Sequence, residues 1–480
     1  MIDYNDKKHI FSKKPSSSSP LRIFIGLLIL LGLGFVSKAI TTGQIKPLFS
    51  PTATPTRTLD SYALEGKTHF TGGNLEKAIE AYQSAVLVNP RDTALWAELA
   101  RIQVYSTTQL TTDSAKRDRL NEAFASIEKG LAVNSEDSML HAVKALACDW
   151  YGNSAIAGED WESYLIKGEQ EAVQALQLDS TNDLAKAYYA ELLVDQQKWS
   201  QAEEYINQAL EKDSDQMDIY RIAGYVQESL GNYTQAIEYY QRAVAITPNL
   251  NTLYISIGAN YRKLADLSNN TLQQNQYYEM ALESFAKAVQ INEQQGIKDP
   301  IPLISIANTY VQMGEFFSAG RNMIKAVQYN PSDPTVYGQL GIVYYKSRNY
   351  EGAIAPLKCY VRGCTAAESC YVRNGGEECD PNDIPDIPIE GQPLSQTSVA
   401  YYFTYGSDLA VFGDCAEALI VFDEVEAGFS TDETIMSIIN DGRDVCTAAS
   451  ASNTTSVTPL DTTATVPGDA TSTAQSTAQP

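Results

Sequence analysis

From residue 59 to about residue 425, small, aromatic and proline residues return with a period of about 34 positions, a spacing at which a chain buries its apolar groups by stacking like units side by side. In the clearest unit, residues 217–250, Tyr220, Ala223 and Gly224 mark one helical stretch. Tyr233, Ala236, Tyr240 and Ala243 mark a second, with Gly231 between the two and Pro248 at the end. Small side chains at Gly224 and Ala236 let two antiparallel helices touch, while Tyr220 and Tyr240 fill the space between neighbouring pairs. Pro248 has no N–H to donate and biases the residue before it away from the helical region, so the second helix stops there.

The same offsets recur along the chain and give about nine units. The first carries Gly66, Gly73, Ala78, Tyr82 and Pro90, and the second Trp96, Ala100, Ala123 and Gly130. A degenerate third has Ala145, Gly168 and Ala172, the fourth Ala190 and Ala202, and the sixth Tyr254, Gly258, Ala281 and Phe285. The seventh shows Ala307, Gly314, Ala326 and Pro331, the eighth Tyr337, Gly341, Tyr344 and Ala353, and the ninth Gly406, Gly413, Ala418 and Phe422. The second, third and sixth units are longer between their two helices, near residues 106–117, 152–163 and 268–276; the extra residues lengthen the two helices or form a loop on one face, and loop growth is the simpler expectation.

Over roughly three quarters of the chain this pattern resembles the tetratricopeptide repeat. The resemblance implies an all-α, right-handed superhelical solenoid of about nine helix pairs, whose first helices line a concave groove that receives a protein or peptide. Carried onto this chain, it puts Asp218, Arg221, Tyr225, Ile255, Arg262, Asn308, Ile342 and Tyr345 on the inner surface, a mixture of aromatic and polar groups suited to a peptide or a protein helix. The lysine and asparagine set with which some members clamp a terminal carboxylate has no counterpart here.

Residues 23–36 (IFIGLLILLGLGFV) form the one long apolar run, flanked by Arg22 and Lys38, whose stems extend its reach. It reads as an uncleaved signal anchor, a single transmembrane helix over 23–40; cleavage after Ser37-Lys38-Ala39 is the competing reading. Lys7, Lys8, Lys13, Lys14 and Arg22 precede the run and fewer basic residues follow it, which puts the N-terminus in the cytoplasm and the repeats outside a cell membrane. The domain order expected is a basic cytoplasmic segment (1–22), the anchor (23–40), a Thr/Pro-rich linker (41–58) and eight repeats (59–364). A cysteine-, acid- and proline-rich insertion (365–394), a ninth repeat with a capping helix (395–446) and a disordered Ser/Thr/Ala/Pro tail (447–480) complete it.

Net charge is −24 for the whole chain, and the first forty residues are basic, so the repeats are more acidic still. Such a surface repels nucleic acid and anionic membranes. Six of the seven cysteines follow residue 358, as expected of an exported, oxidised segment. Cys415 at the start of one helix can pair with Cys446 in the capping helix. Connectivity among Cys359, Cys364, Cys370 and Cys379 stays open, and Cys148 reads as a buried apolar residue. Zinc lacks a Cys-x-x-Cys pair, and calcium lacks an Asp-x-Asp-x-Asp-Gly loop among Glu377, Glu378, Asp380, Asp383 and Asp386. No phosphate-cradling loop, Gly-x-Ser-x-Gly elbow or His-Glu-x-x-His motif occurs, and there are three histidines in all. The expected function is therefore a cofactor-free, metal-free, non-enzymatic scaffold in an envelope assembly. A cleaved, secreted binder of peptide or polysaccharide and a non-catalytic subunit that positions an enzyme are the alternatives.

Overall fold

The computed structural model describes residues 19–41, 59–153, 155–212, 214–380 and 385–454, in two units, 1–58 and 59–480. The basic segment, the Thr/Pro-rich linker and most of the C-terminal tail lie outside the described residues. In the first unit the apolar run forms helix α1 (Pro20–Thr41), with exposed apolar side chains such as Leu30 and Phe35. The expected spanning helix does not follow from this. Residues 23–35 cover about 20 Å at 1.5 Å per residue, short of a hydrocarbon core of about 30 Å. Among the described residues, no helix is long and apolar enough to cross a membrane.

The second unit is a run of nine antiparallel helix pairs. They are α2 (Leu59–Thr71) with α3 (Leu75–Val88), α4 (Thr93–Ser106) with α5 (Asp113–Val133), and α6 (Ser138–Gly152) with α7 (Trp161–Leu178). Then come α8 (Asp183–Asp195) with α9 (Trp199–Ala209), α10 (Met217–Ser229) with α11 (Tyr233–Ile246), and α12 (Asn251–Leu267) with α13 (Thr271–Gln295). The last three are α14 (Ile301–Gln312) with α15 (Phe316–Tyr329), α16 (Pro334–Lys346) with α17 (Tyr350–Val361), and α19 (Val399–Phe412) with α20 (Cys415–Phe429). A short α18 (Ala366–Arg373) precedes the last pair, and α21 (Glu433–Thr454) follows it.

Local sequence explains where the first helices start. Asp92, Asp137, Asn182 and Asp333 each accept a hydrogen bond from an amide in the first turn of α4, α6, α8 and α16, satisfying donors that a helix leaves free at its beginning. At three junctions between units an aromatic residue donates back to a proline carbonyl six positions earlier: Trp96 to Pro90, Tyr254 to Pro248 and Tyr337 to Pro331, each at 2.9 Å. The turn and the helix it launches are thus locked together. Inside a pair, small residues meet aromatic rings, as the rhythm requires. A Cβ on Gly224 would come 2.8 Å from the Tyr240 ring, and one on Gly258 would come 2.6 Å from Phe285.

The extra residues of the second, third and sixth units lengthen helices more than loops. Helix α5 has 21 residues, α7 has 18 and α13 has 25, against 14 in α3, α11 and α15. Asn270 accepts from the amides of Leu272 and Gln273, and Thr112 from that of Ala115, so α13 and α5 restart early instead of leaving open loops.

The cysteine-rich insertion is partly folded. Thr365 and Glu368 form a reciprocal capping box that starts α18, and strand β1 (Gly363–Cys364) pairs antiparallel with β2 (Ile389–Glu390). Disulfides join Cys359 to Cys364, Cys370 to Cys379 and Cys415 to Cys446, the last pinning α21 to the start of α20. Cys148 is buried and unpaired, and burial pushes its thiol up to about 12.

Candidate partner-binding surface

First helices relate differently in the two halves of the repeat array. Helices α4, α6, α8 and α10 pack directly on one another in sequence. Beyond α10 the direct approach weakens: α12 joins the array through α11, α14 through α13 and α16 through α15.

Where the first helices are packed tightly, their inner residues satisfy one another. Asp218 on α10 is 1 % exposed and accepts from Arg101 Nη1 (2.8 Å), Tyr105 Oη (2.8 Å) and Tyr188 Oη (2.7 Å). Burial opposes its charge, but Arg101 and the phenol donors more than reverse this and hold the carboxyl below its ordinary range. Burial also opposes the Arg101 guanidinium, which Asp218 and Glu98 keep firmly protonated as it lies 4.5 Å over the Phe70 ring. Arg221 forks onto Glu191 with Nη1 and Nη2 at 2.8 and 2.5 Å and donates from Nε to Tyr105 Oη at 2.9 Å; Trp150 Nε1 donates to the same Glu191 at 3.2 Å.

Beyond Glu191 the inner face turns acidic. Tyr225 Oη donates to Asp195 Oδ1 at 2.5 Å, and Asn153 Nδ2 donates to Asp195 Oδ2. Asp149 is buried beside Asp195, and neither of its oxygens meets an N–H or hydroxyl donor. Burial, Asp195 and Glu191 together push the Asp149 carboxyl well above its ordinary range, and burial and Glu191 raise Asp195 to about 6.

The expected groove residues therefore divide. Asp218, Arg221 and Tyr225 belong to this internal network. Ile255 on α12 and Ile342 and Tyr345 on α16 are half-buried, resting on the core with one side open, and Tyr345 stacks edge-on against Tyr350 at 5.5 Å. Arg262 is half-exposed and Asn308 exposed, and among the described residues neither forms a hydrogen bond or ion pair. The network's other members, Arg101, Glu191, Asp195, Tyr105 and Trp150, are absent from the expected set. A signal existed for two of them: Arg101 and Glu191 follow Ala100 and Ala190 as Tyr225 follows Gly224, which gives all three the same register on a first helix.

A long-range contact draws the early units into a closed turn. Gly73, in the α2–α3 turn, lies so close to Asn249 that a Cβ would fall 2.7 Å from the Asn249 carbonyl carbon, and its φ of +74° suits glycine. Gln109 Nε2 reaches the Gly73 carbonyl at 3.3 Å, and Gln295 Nε2 the Asn249 carbonyl at 3.2 Å.

Two stretches match family models of the tetratricopeptide repeat, residues 59–92 and 190–251, so the chain carries tetratricopeptide repeats. Among solved structures, a human IFIT1 dimer with m7Gppp-AAAA is similar at 16 % identity and a TM-score of 0.45, over 86 % of this chain and 89 % of that one. YrrB, described as having an unusual peptide-binding site, is similar at 20 % identity and 0.29, over 44 % and 95 %. A thermophilic tetratricopeptide repeat protein of Thermus thermophilus is similar at 18 % identity and 0.31, over 36 % and 88 %.

Proposed function

We propose that this protein is a non-catalytic scaffold that captures a protein or peptide along the first helices α12, α14, α16 and α19, held extracytoplasmically at a membrane by its N-terminal helix. The observation that carries the reading is the division of the inner face. Arg101, Tyr105, Glu191, Asp195, Asp218, Arg221 and Tyr225 are engaged with one another, whereas Ile255, Arg262, Asn308, Ile342 and Tyr345 leave apolar surface and polar groups to offer a partner. Exposed apolar side chains on α1 favour attachment to lipid, and three disulfides favour an oxidising compartment. The acidic surface favours a partner that is neutral or basic.

The test is photocrosslinking in intact cells from residue 308 or 345, with residue 225 as the internal comparison, followed by mass spectrometry of the membrane fraction. A discrete partner captured from 308 and 345 but not from 225 supports the reading. Equal capture from all three, or recovery of the protein from the medium with none, overturns it.

A further inference from the structure

Asp149 on α6 and Asp195 at the end of α8 lie side by side in the closed turn, where the two helices pack directly on one another. Asp149 is 1 % exposed, and neither of its oxygens meets an N–H or hydroxyl donor. Glu191 and Asp195 face it from α8, and Arg221 and Tyr225 close the cluster from α10. From α4, Tyr105 faces the same Arg221 and Glu191. On α6 itself the Cys148 thiol is the neighbour, reached in turn by Lys167 and Glu171 of α7, while Glu128 of α5 is paired with Lys144. Arg221 spends both terminal nitrogens on Glu191, and Tyr225 and Asn153 each donate to Asp195, which leaves Asp149 without a donor.

Asp149, Glu191 and Asp195 thus gather around the single guanidinium of Arg221. Fully ionised, the cluster would hold an excess of two negative charges largely out of water, which is costly. One proton between Asp149 and Asp195 removes one of those charges and supplies the donor that neither carboxylate has for the other. We propose that Asp149 and Asp195 form a proton-dependent latch between α6 and α8, closed while one proton lies between the two carboxyls and released when that proton is lost. Each time the helices part, water reaches the carboxyls, their pKa falls to the ordinary aspartate value of about 4, and the proton leaves. The latch therefore holds in full below about pH 4, weakens as pH rises, and is gone once the closed pair itself ionises. It lies between the third and fourth units, so its release loosens the arc that brings Gly73 to Asn249.

The test uses a probe the chain already carries. Cys148 is buried next to Asp149 and the six other cysteines are bridged, so its rate of modification by an excess of thiol reagent reports how often α6 comes away. Divided by the rate in the urea-unfolded protein at the same pH, which corrects for thiolate formation, it gives the opening equilibrium of the full-length protein. Release of one proton on opening makes that equilibrium rise about tenfold per pH unit, or about a hundredfold between pH 5 and pH 7. Asp149→Asn and Asp195→Asn each put an amide donor in place of the shared proton and should cut the rise to about tenfold or less, with circular dichroism showing the helices intact. Asp408→Asn, in the last unit, should leave it at about a hundredfold. A rise of about tenfold or less in the unaltered protein overturns the proposal, as does a hundredfold rise that persists in either latch variant or one that Asp408→Asn abolishes.

Discussion

Arg101 and Asp218 meet at 2.8 Å across 117 positions of sequence, the first on the second helix pair and the second on the fifth. A solenoid unit ordinarily contacts only its neighbours. Here four first helices curl tightly enough for non-neighbours to share a buried ion pair, and the side chains that would line an open groove instead line one another.

Asp218→Ala should cost about 3–5 kcal/mol, because it leaves Arg101 charged and buried without its partner. Urea unfolding followed by circular dichroism measures it. Arg101→Met in the same chain should recover a large part of the loss, since an apolar side chain of similar length leaves no stranded charge.

Two buried acids set a pH dependence of stability. Burial raises Asp408, whose oxygens have no partner, to about 7, and burial with Glu191 raises Asp195 to about 6. A carboxyl that binds its proton more tightly when folded contributes stability that is full below its unfolded pKa of about 4 and is lost as pH rises through the folded value. Asp408→Asn should therefore match the unaltered protein near pH 4 and exceed it by up to about 4 kcal/mol above pH 7. Paired denaturation curves across pH 4–8 read the difference; a constant offset would refute the assignment.

Gly224→Val should destabilise by about 1–3 kcal/mol through overpacking against Tyr240. Tyr240→Leu added to it should restore part of the loss, which thermal unfolding of the two variants would show.

The rhythm of small and aromatic residues was enough to read the helix pairs, because contacts such as Gly224 with Tyr240 lie within one unit and obey its period. Cys415 and Cys446 could be paired for a similar reason, both falling on neighbouring helices at the end of the array. Closure was not legible. Gly73 against Asn249 depends on the summed rotation of several units, and no local motif encodes a sum. That is why Asp218, in correct register for an inner face, is occupied by Arg101 and Tyr105 of the second unit, while Arg221 and Tyr225 are held by Glu191 and Asp195 of the neighbouring unit. Helix α18 was missed although Thr365 and Glu368 spell a capping box, since the acids and prolines after it dominate the composition.

Removing the Cys415–Cys446 bridge by a double substitution to serine should lower stability of the last pair by about 3–4 kcal/mol, the loop-entropy value for a separation of 31 residues. Hydrogen exchange should speed up across α21 first, and the early units should keep their protection.

The contact of Gly73 with Asn249 also fixes how many units the chain can carry. An open array gains or loses a copy by tandem duplication with little penalty, because each junction is the same as the next. Once the first turn touches the fifth unit's exit, an added or deleted copy between them would carry Gly73 away from Asn249, and the arc would no longer meet itself. Length variation is left to the stretch beyond α13, which carries Asn308, Ile342 and Tyr345 of the proposed partner face.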